Sequence, residues 1–112
     1  MKKLEIIIKP EKLEAVKAEL NEYGIHGMMI TNIMGFGNQK GYTQVYRGTQ
    51  MTVNLLPKIK LEVVVSDDKV DDIIQKVLTV AGTGNYGDGK IFVYNVEDAV
   101  RIRTGERGEK AI

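Results

Sequence analysis

The chain has 112 residues, enough for one domain, and its content of 43% hydrophobic and 28% charged residues is ordinary for a globular fold. It contains no cysteine, which excludes disulfides, thiolate metal sites and cysteine nucleophiles and is compatible with a reducing cytoplasm. The net charge of +1 argues against broad nucleic-acid binding. No signal-peptide core and no run near ~18 apolar residues is present, which predicts a soluble cytoplasmic protein.

The first third of the chain predicts a strand, a helix and a second strand. Leu4 to Ile8 is typical of a strand, and Pro10 then begins a helix at a first-turn position that proline tolerates. Gly24 is the predicted stop of this helix, and Met28 to Met34 is the next predicted strand. One face of the helix carries the apolar residues Leu13, Val16 and Leu20.

The same order returns in the second half. Ile59 to Val65 is a predicted strand, Ser66 to Asp68 are candidate helix caps, and Ile91 to Val96 is the last predicted strand. Between them a second helix is predicted, because the following apolar residues have helical spacing: Val70, Ile73, Ile74, Val77 and Leu78. Two such halves in a chain of this length predict an α+β, ferredoxin-like βαββαβ sandwich, with a four-stranded antiparallel sheet and both helices on one face.

Three of the predicted strands contain runs of consecutive apolar residues, which suggests that both faces of the sheet are buried. The runs are Ile6-Ile7-Ile8, Val63-Val64-Val65 and Ile91-Phe92-Val93. Two helices cover one face, so a second copy of the chain is the economical cover for the other, and a homo-oligomer is predicted. The alternative is that the C-terminal tail covers this face.

The segment from Gly37 to Pro57 separates the two halves and lacks helical or strand-like periodicity. Loops longer than about 12 to 15 residues are usually functional or disordered. No acid occurs between Glu22 and Glu62, and this span carries a charge of +4, while the rest of the chain, with 12 bases and 15 acids, carries −3. The four bases are Lys40, Arg47, Lys58 and Lys60. A mobile, partner-binding loop is the preferred interpretation and a disordered insertion is the alternative.

A glycine-rich stretch follows the second predicted helix. Gly84 to Lys90 reads G-x-x-x-x-G-K, the opening of a P-loop, but Ile91 stands where a hydroxyl should bind magnesium. Gly82 to Gly87 satisfies G-x-G-x-x-G, but it follows a helix and precedes a strand, the reverse of Rossmann order. Neither enzyme motif is complete, which favours a protein that senses a nucleotide. Glycine amides that wrap an anion, with Lys90 as the cation, are one interpretation, and a tight helix-to-strand turn is the other.

Two arginines and the single histidine complete the candidate residues. If the chain is extended at Arg101 and Arg103, their side chains project to one side about 7 Å apart and face one ligand. The alternative is that both arginines are simply solvated, which the sequence pattern does not distinguish from a shared ligand. His26 and Ser66 are the only histidine and the only serine and lie in different predicted elements, so a Ser-His triad is not predicted. Because His26 lies between Gly24 and Gly27, it is interpreted as a turn residue.

Taken together, these stretches resemble the PII nitrogen-regulatory signal-transduction proteins over essentially the whole chain. The characteristic stretches are Gly35 to Gly41, Tyr46-Arg47-Gly48, Thr83 to Val96 and Arg101 to Glu106. The resemblance implies one PII-like domain over 1–112 that forms a homotrimer, with a partner-binding loop at about 37–57 and a nucleotide-contacting C-terminal segment at about 97–112. It also implies ATP or ADP in the clefts between subunits, and 2-oxoglutarate bound with Mg-ATP at the base of the loop.

The resemblance assigns expected contacts to individual residues. Gln39 helps to hold the magnesium, Lys58 pairs with a 2-oxoglutarate carboxylate, and Glu62 lies on the adenosine side of the site. The implied nucleotide contacts are Gly35, Gly37, Gln39, Glu62, Val64, Gly87, Asp88, Gly89, Lys90, Arg101 and Arg103. The implied 2-oxoglutarate contacts are Gln39, Lys58, Gly37, Gly41 and Gly87.

Partners follow from the same resemblance: an ammonium transporter, which would recruit the protein to the membrane, and transcriptional regulators or nitrogen-metabolism enzymes, with no direct nucleic-acid binding. The implied partner-binding residues are Tyr42, Tyr46, Arg47, Gly48, Thr49 and Met51. Met51 stands where the family carries a uridylylated tyrosine, so no uridylylation occurs there. Asn38 stands where many relatives use an arginine near the phosphates, which leaves the ranking of ATP and ADP open.

Three other functions remain alternatives. A PII-like trimer could sense nucleotides together with a different effector. A small phosphoryl-transfer enzyme would need a base, for which His26 is the only histidine. An RNA-binding module would stack bases on Phe92 and Tyr94, which occupy alternate positions of a predicted strand, but this sequence lacks the RRM signature. A regulator that is not an enzyme is therefore the prediction.

Overall fold

The computed structural model describes residues 1–35 and 55–112 in full, together with the backbone of two strands at 42–46 and 49–53. The strands are β1 (Lys2–Ile8), β2 (Met29–Gly35), β3 (Tyr42–Tyr46), β4 (Thr49–Val53), β5 (Leu56–Val65) and β6 (Gly89–Asn95). The helices are α1 (Leu13–Tyr23) and α2 (Val70–Ala81), with short 3-10 helices at Pro10–Lys12, Asp67–Lys69 and Gly108–Ala111.

The main sheet has four strands in the order β2-β5-β1-β6, and all neighbouring strands are antiparallel. This is the predicted ferredoxin-like βαββαβ arrangement. Strands β3 and β4 pair with each other as a separate antiparallel hairpin. The prediction that the segment from Gly37 to Pro57 lacks strand structure is therefore wrong at two places, and β5 also begins three residues earlier than predicted, at Leu56.

The core lies between one face of the sheet and the two helices. Val16 and Leu20 from α1 and Ile73 and Val77 from α2 are at most 3% exposed, as the helical spacing predicted. They pack in one cluster with the buried strand residues Leu4, Ile6, Ile8, Ile59, Leu61, Val63 and Val65. Leu78 is an exception, because its side chain is 53% exposed on α2.

Helix α1 ends at Gly24, as predicted. Gly24 has a φ of 106°, a left-handed conformation that favours glycine, and its N–H donates to the carbonyl of Asn21. At the start of the second helical segment, Ser66 takes the N-cap position, but no side chain there makes a capping hydrogen bond. Asp67 instead forms an ion pair with the N-terminal ammonium, at 3.0 Å.

The second face of the sheet is mixed rather than apolar. The middle residues of the apolar runs, Ile7, Val64 and Phe92, do lie on this open face, since side chains alternate along a strand. Their neighbours are charged: Lys3 lies 3.3 Å from Glu62 and Lys60 lies 3.5 Å from Glu5. The apolar runs on which the prediction of a buried second face was based thus describe only part of this face.

Candidate functional site

Four strand ends meet at one end of the sheet. The pairs Ile8 with Ile59, Ile8 with Gly89, and Gly35 with Leu56 place the last residues of β1 and β2 beside the first residues of β5 and β6. We call this end, defined by Ile8, Gly35, Leu56 and Gly89, the loop end. Residues 36–54 leave the sheet at Gly35 and return to it at Leu56, so they are attached at the loop end.

Lys58 is the buried charged residue of the loop end. It is 8% exposed, and its Nζ donates a hydrogen bond to the carbonyl oxygen of Gly87 at 2.7 Å. Gly35 lies against its aliphatic chain, because a Cβ at Gly35 would be only 3.0 Å from Lys58 Cγ. Burial, followed by the nearby ammonium of Lys9, lowers the pKa of Lys58 from its ordinary value.

Asp88 organises the turn between α2 and β6. One carboxylate oxygen accepts hydrogen bonds from the N–H groups of Thr83 at 2.6 Å and Gly84 at 2.9 Å, and the other accepts one from Thr83 Oγ1 at 2.5 Å. The Thr83 hydroxyl and these amides hold the pKa of Asp88 well below its usual range. The first amides of the turn therefore bind the carboxylate of Asp88 from the same chain. For Thr83 and Gly84, the interpretation as a tight helix-to-strand turn is correct.

Gly89 is the point at which the turn enters β6, and it has no room for a side chain. Its φ is 109°, and a Cβ would lie 1.7 Å from the carbonyl oxygen of Ile7 on β1. Glycine is thus required at position 89, the second glycine of the P-loop-like pattern, because the backbones of β1 and β6 approach closely there. Lys90 follows on β6, opposite Ile7, and is exposed.

Glu62 and Val64 lie farther along β5, on the open face. Glu62 is one of four charged residues that alternate in sign there, and its neighbours Lys3 and Lys60 lie 3.3 Å and 4.0 Å from its carboxylate. Tyr94 donates a hydrogen bond to Glu5 at 2.6 Å, which lowers the pKa of Glu5 and raises that of Tyr94. Glu62 and Val64 also line a cleft of about 510 Å³ at the far end of the sheet, together with the loop from Gly24 to Gly27 and the C-terminal residue Ile112.

The segment that carries Arg101 and Arg103 leaves the sheet at the end opposite the loop end. The N–H of Val96, just after β6, donates to the carbonyl of Met1, so the C-terminal segment starts where β1 begins. Six residues of β6 separate that point from Gly89, which is about 20 Å along a strand. The extended conformation, on which the interpretation of a shared ligand depended, is not found, because residues 101–105 form a turn in which the Gly105 N–H donates to the Arg101 carbonyl at 2.7 Å.

One chain therefore brings together only part of the predicted site. The residues that meet at the loop end are Gly35, Lys58, Gly87, Asp88, Gly89 and Lys90. Predicted residues that lie outside the described part of the chain, or whose side chains do, are Gly37, Gln39, Gly41, Tyr42, Tyr46, Arg47, Gly48, Thr49 and Met51. Within 1–35 and 55–112, no group of three or more acidic or histidine side chains could hold a metal ion.

His26 lies in the short connection between α1 and β2, two residues after the turn at Gly24. It follows the end of α1, is exposed, and its Nδ1 lies 2.6 Å from Asn21 Oδ1. Sequence reasoning overlooked two other residues, Lys9 and Thr83. Lys9 lies 3.6 Å from Asp88, and Thr83 is the main hydrogen-bonding partner of Asp88. A hydroxyl five residues before an aspartate in a glycine-rich turn was a usable signal for Thr83, whereas the proximity of Lys9 depends on how β1 pairs with β6.

Comparison with known proteins decides the family. A family model described as nitrogen regulatory protein P-II matches residues 1–106. The chain belongs to the P-II family. Among its relatives are proteins named nitrogen regulatory protein P-II from Haemophilus influenzae, at 57% identity, and from Pasteurella multocida, at 54% identity. Another is nitrogen regulatory protein P-II 1 from Escherichia coli, at 52% identity. Each alignment covers 100% of both chains.

Membership of the P-II family makes this protein a regulator in nitrogen signalling and not an enzyme. The resemblance stated from the sequence motifs is thereby confirmed. Among the described residues, no helix is both long enough and apolar enough to cross a membrane.

Proposed function

We propose that this P-II protein senses ATP or ADP, with Mg²⁺, and 2-oxoglutarate, and that it controls target proteins through the loop at about 37–57. The observation that carries the proposal is the buried Lys58, which is hydrogen-bonded to Gly87 and lies against Gly35, one of the two points where residues 36–54 join the sheet. A ligand bound at this point would contact the roots of the loop directly. Its binding energy would then favour one loop conformation over another, which is the requirement for a population shift.

The side chains of the loop end fit such ligands. Lys58 and Lys90 are cations that suit carboxylate and phosphate oxygens. Magnesium prefers oxygen ligands and usually takes only a few of them from the protein, so the amide oxygen of Gln39 would help to hold a magnesium ion that binds together with ATP and 2-oxoglutarate. Gly37 and Gly41 complete the proposed 2-oxoglutarate site with backbone groups.

A homotrimer is proposed because, within one chain, the two groups of basic residues of the site are attached to opposite ends of the sheet. Lys90 belongs to the loop end, whereas the segment with Arg101 and Arg103 begins at the far end of β6, which is about 20 Å from the loop end along the strand. If both parts bind one nucleotide, the arginines come from a second copy. The cleft that Glu62 and Val64 line would then accept the adenosine part, and the segment 97–112 would supply the arginines.

The proposed partners are an ammonium transporter, with Arg47 as the residue that enters the channel, and transcriptional regulators or nitrogen-metabolism enzymes. The protein would be cytoplasmic and would join the membrane only through the transporter. Because Met51 carries no hydroxyl, control would depend on ligands and not on uridylylation at that position. Modification of Tyr46 or Thr49 would be detected as a mass shift on a loop peptide, and we expect none.

Calorimetric titration with ATP, ADP and 2-oxoglutarate, each with and without Mg²⁺, tests the proposed effectors. We expect 2-oxoglutarate to bind only when Mg-ATP is present. Lys58→Met should abolish 2-oxoglutarate binding. Lys17→Met is the control and should leave binding unchanged, because Lys17 is a partly exposed lysine on α1 that pairs with Glu14. A protein that ignores adenine nucleotides, or sustained ATP turnover, would contradict the proposal.

Mixing two variants tests whether the nucleotide site is shared between copies. Lys90→Ala and Arg103→Ala should each bind ATP weakly alone. After the two variants are unfolded and refolded together in equal amounts, random trimers should recover tight binding at about a quarter of the sites. At those sites an Arg103→Ala copy supplies Lys90 and its Lys90→Ala neighbour supplies Arg103. Native mass spectrometry checks the trimer itself. No recovery in the mixed sample, or a monomer mass, would refute the shared site.

The role of the loop is tested separately with Arg47→Ala. We expect the variant to lose binding to membranes that contain the ammonium transporter while its affinity for ATP stays unchanged. A fall in ATP affinity would instead assign Arg47 to the ligand site.

A further inference from the structure

Residues 98–108, which follow the last strand of the sheet, form a small hairpin. Its two arms are joined by the antiparallel bridge between Val100 and Arg107 and by backbone hydrogen bonds, each 2.9 Å long, from Arg101 to Glu106 and from Gly108 to Ala99. The closed end of the hairpin is the turn that carries Arg101 and Arg103, and at the open end Gly108 begins the 3-10 helix Gly108–Ala111. The hairpin therefore connects the two arginines with a helix that lines the cleft of about 510 Å³.

Asp98 closes the open end of this hairpin. One of its carboxylate oxygens accepts hydrogen bonds from the N–H groups of Ala99 at 2.8 Å and Gly108 at 3.1 Å. The other oxygen accepts two hydrogen bonds from the guanidinium of Arg107, from Nε at 2.9 Å and from Nη2 at 2.6 Å. The guanidinium and these two amides hold the pKa of Asp98 below its ordinary value. One side chain thus ties the first arm of the hairpin to the second.

The ion pair between Asp98 and Arg107 orders the hairpin and not the core. The two side chains are 40% and 71% exposed, and exposed ion pairs add little to global stability because water screens them. Within the part of the chain that the structure describes, the hydrophobic core contains no residue from 97–112. Loss of this ion pair should therefore loosen the hairpin and leave the sheet and the two long helices folded.

We propose that Asp98 and Arg107 are positioning residues of the nucleotide site, because their ion pair holds the arginine turn in the arrangement that binds phosphate groups. This inference rests on the proposed function, and neither residue touches the nucleotide. Arg103 is exposed on its turn, and a long side chain on a loose segment must be ordered when it binds, which costs affinity. A hairpin that is closed before the nucleotide arrives removes part of that cost.

Calorimetric titration of Mg-ATP into Asp98→Asn, Arg107→Lys and the control Lys110→Met tests this role. Asp98→Asn keeps an oxygen for the N–H groups of Ala99 and Gly108 but loses the charge that attracts Arg107. It should raise the Kd for Mg-ATP by about threefold to tenfold, the cost of ordering one long side chain. Arg107→Lys keeps the charge without the fork of N–H donors and should show a smaller loss. Lys110→Met removes an exposed lysine of the same 3-10 helix and should match the wild type.

A double-mutant cycle separates positioning of the arginine turn from a general structural role. If Asp98 acts through this turn, Asp98→Asn should raise the Kd by less than about twofold in an Arg103→Ala background. In a Lys90→Ala background it should cause its full loss, because Lys90 belongs to the loop end. Amide hydrogen exchange of the protein without nucleotide gives a second measurement. Asp98→Asn should speed exchange at Arg101 and Gly105 in the hairpin and leave the core strand β5 unchanged.

The outcomes distinguish this inference from the proposed function. If the wild type does not bind Mg-ATP, the proposed function and the positioning role are both wrong. If the wild type binds Mg-ATP and Asp98→Asn binds it equally well, the proposed function stands and the role of the ion pair is refuted. A full loss in the Arg103→Ala background would refute the role as well. A lower urea midpoint together with faster exchange in β5 would show that Asp98 stabilises the whole chain, which also contradicts the inference.

Discussion

Replacing Gly89 by alanine should disrupt the junction between the turn and β6. A Cβ there would be 1.7 Å from the Ile7 carbonyl oxygen, and real Cβ contacts are not shorter than 3.0 Å, so the two backbones must separate by 1.3 Å or more. That movement breaks the first pairs of the β1–β6 ladder, Ile8 with Gly89 and Ile7 with Lys90. Two lost hydrogen bonds at ~1 kcal/mol each predict a loss of ~2 kcal/mol beyond the cost of the backbone conformation itself.

Gly24→Ala is the matched control for this change. Gly24 has nearly the same φ, 106° against 109°, but a Cβ there would meet nothing within 4 Å. It should therefore show only the conformational cost of a positive φ, ~1 to 2 kcal/mol. The free energy of unfolding, measured by urea denaturation of both variants and the wild type, gives the difference directly. Equal destabilisation by the two substitutions would refute the close approach of Gly89 to β1.

Three further predictions concern the turn, the core and the open face. The pKa of Asp88 is depressed in the folded protein, so its stabilisation is complete above the unfolded value of ~3.9 and is lost as the pH falls below it. Urea midpoints of Asp88→Asn should therefore lie below those of the wild type at pH 7 and converge with them in acid, and a gap that persists at low pH would contradict this cause. Ile6→Ala, at a fully buried position, should lower the free energy of unfolding by ~2 to 5 kcal/mol in the same assay, and a loss below ~1 kcal/mol would contradict its place in the core. Glu5→Gln should bring the raised pKa of Tyr94 closer to its ordinary value, because it removes the carboxylate that accepts the phenol hydrogen bond. NMR titration of ring-labelled tyrosines measures this shift, and an unchanged Tyr94 would refute the contact.

Local patterns predicted most of the fold. The helical spacing of Val16 and Leu20, and of Ile73 and Val77, identified the buried faces of both helices, because those faces repeat with the 3.6-residue turn. Gly24 marked the end of α1 because few other residues adopt its left-handed conformation. Strand limits shifted by a few residues, since they depend on which neighbour supplies hydrogen bonds and not on the strand's own sequence.

The candidate site was predicted less completely. The motif stretches identified the family and the residues of the glycine-rich turn, but they could not show that Asp88 occupies the first amides of that turn. Nor could the pattern at Arg101 and Arg103 distinguish an extended strand from a turn, because two alternating arginines are compatible with both. The charges on the open face were visible in the sequence, but their pairing, such as Lys3 with Glu62, joins strands that are far apart along the chain.

The amino-acid sequence by itself determined the order of the four main-sheet strands and the two long helices, the core-facing side of each helix and the family, since all of these depend on local spacing and short motifs. Only the tertiary structure decided that Lys9, Lys58 and Asp88 are neighbours, and that the segment with Arg101 and Arg103 leaves the sheet at the opposite end of β6 from Lys90. The physical reason is strand pairing: backbone hydrogen bonds between distant segments choose the register, and one residue of shift would turn every side chain to the other face.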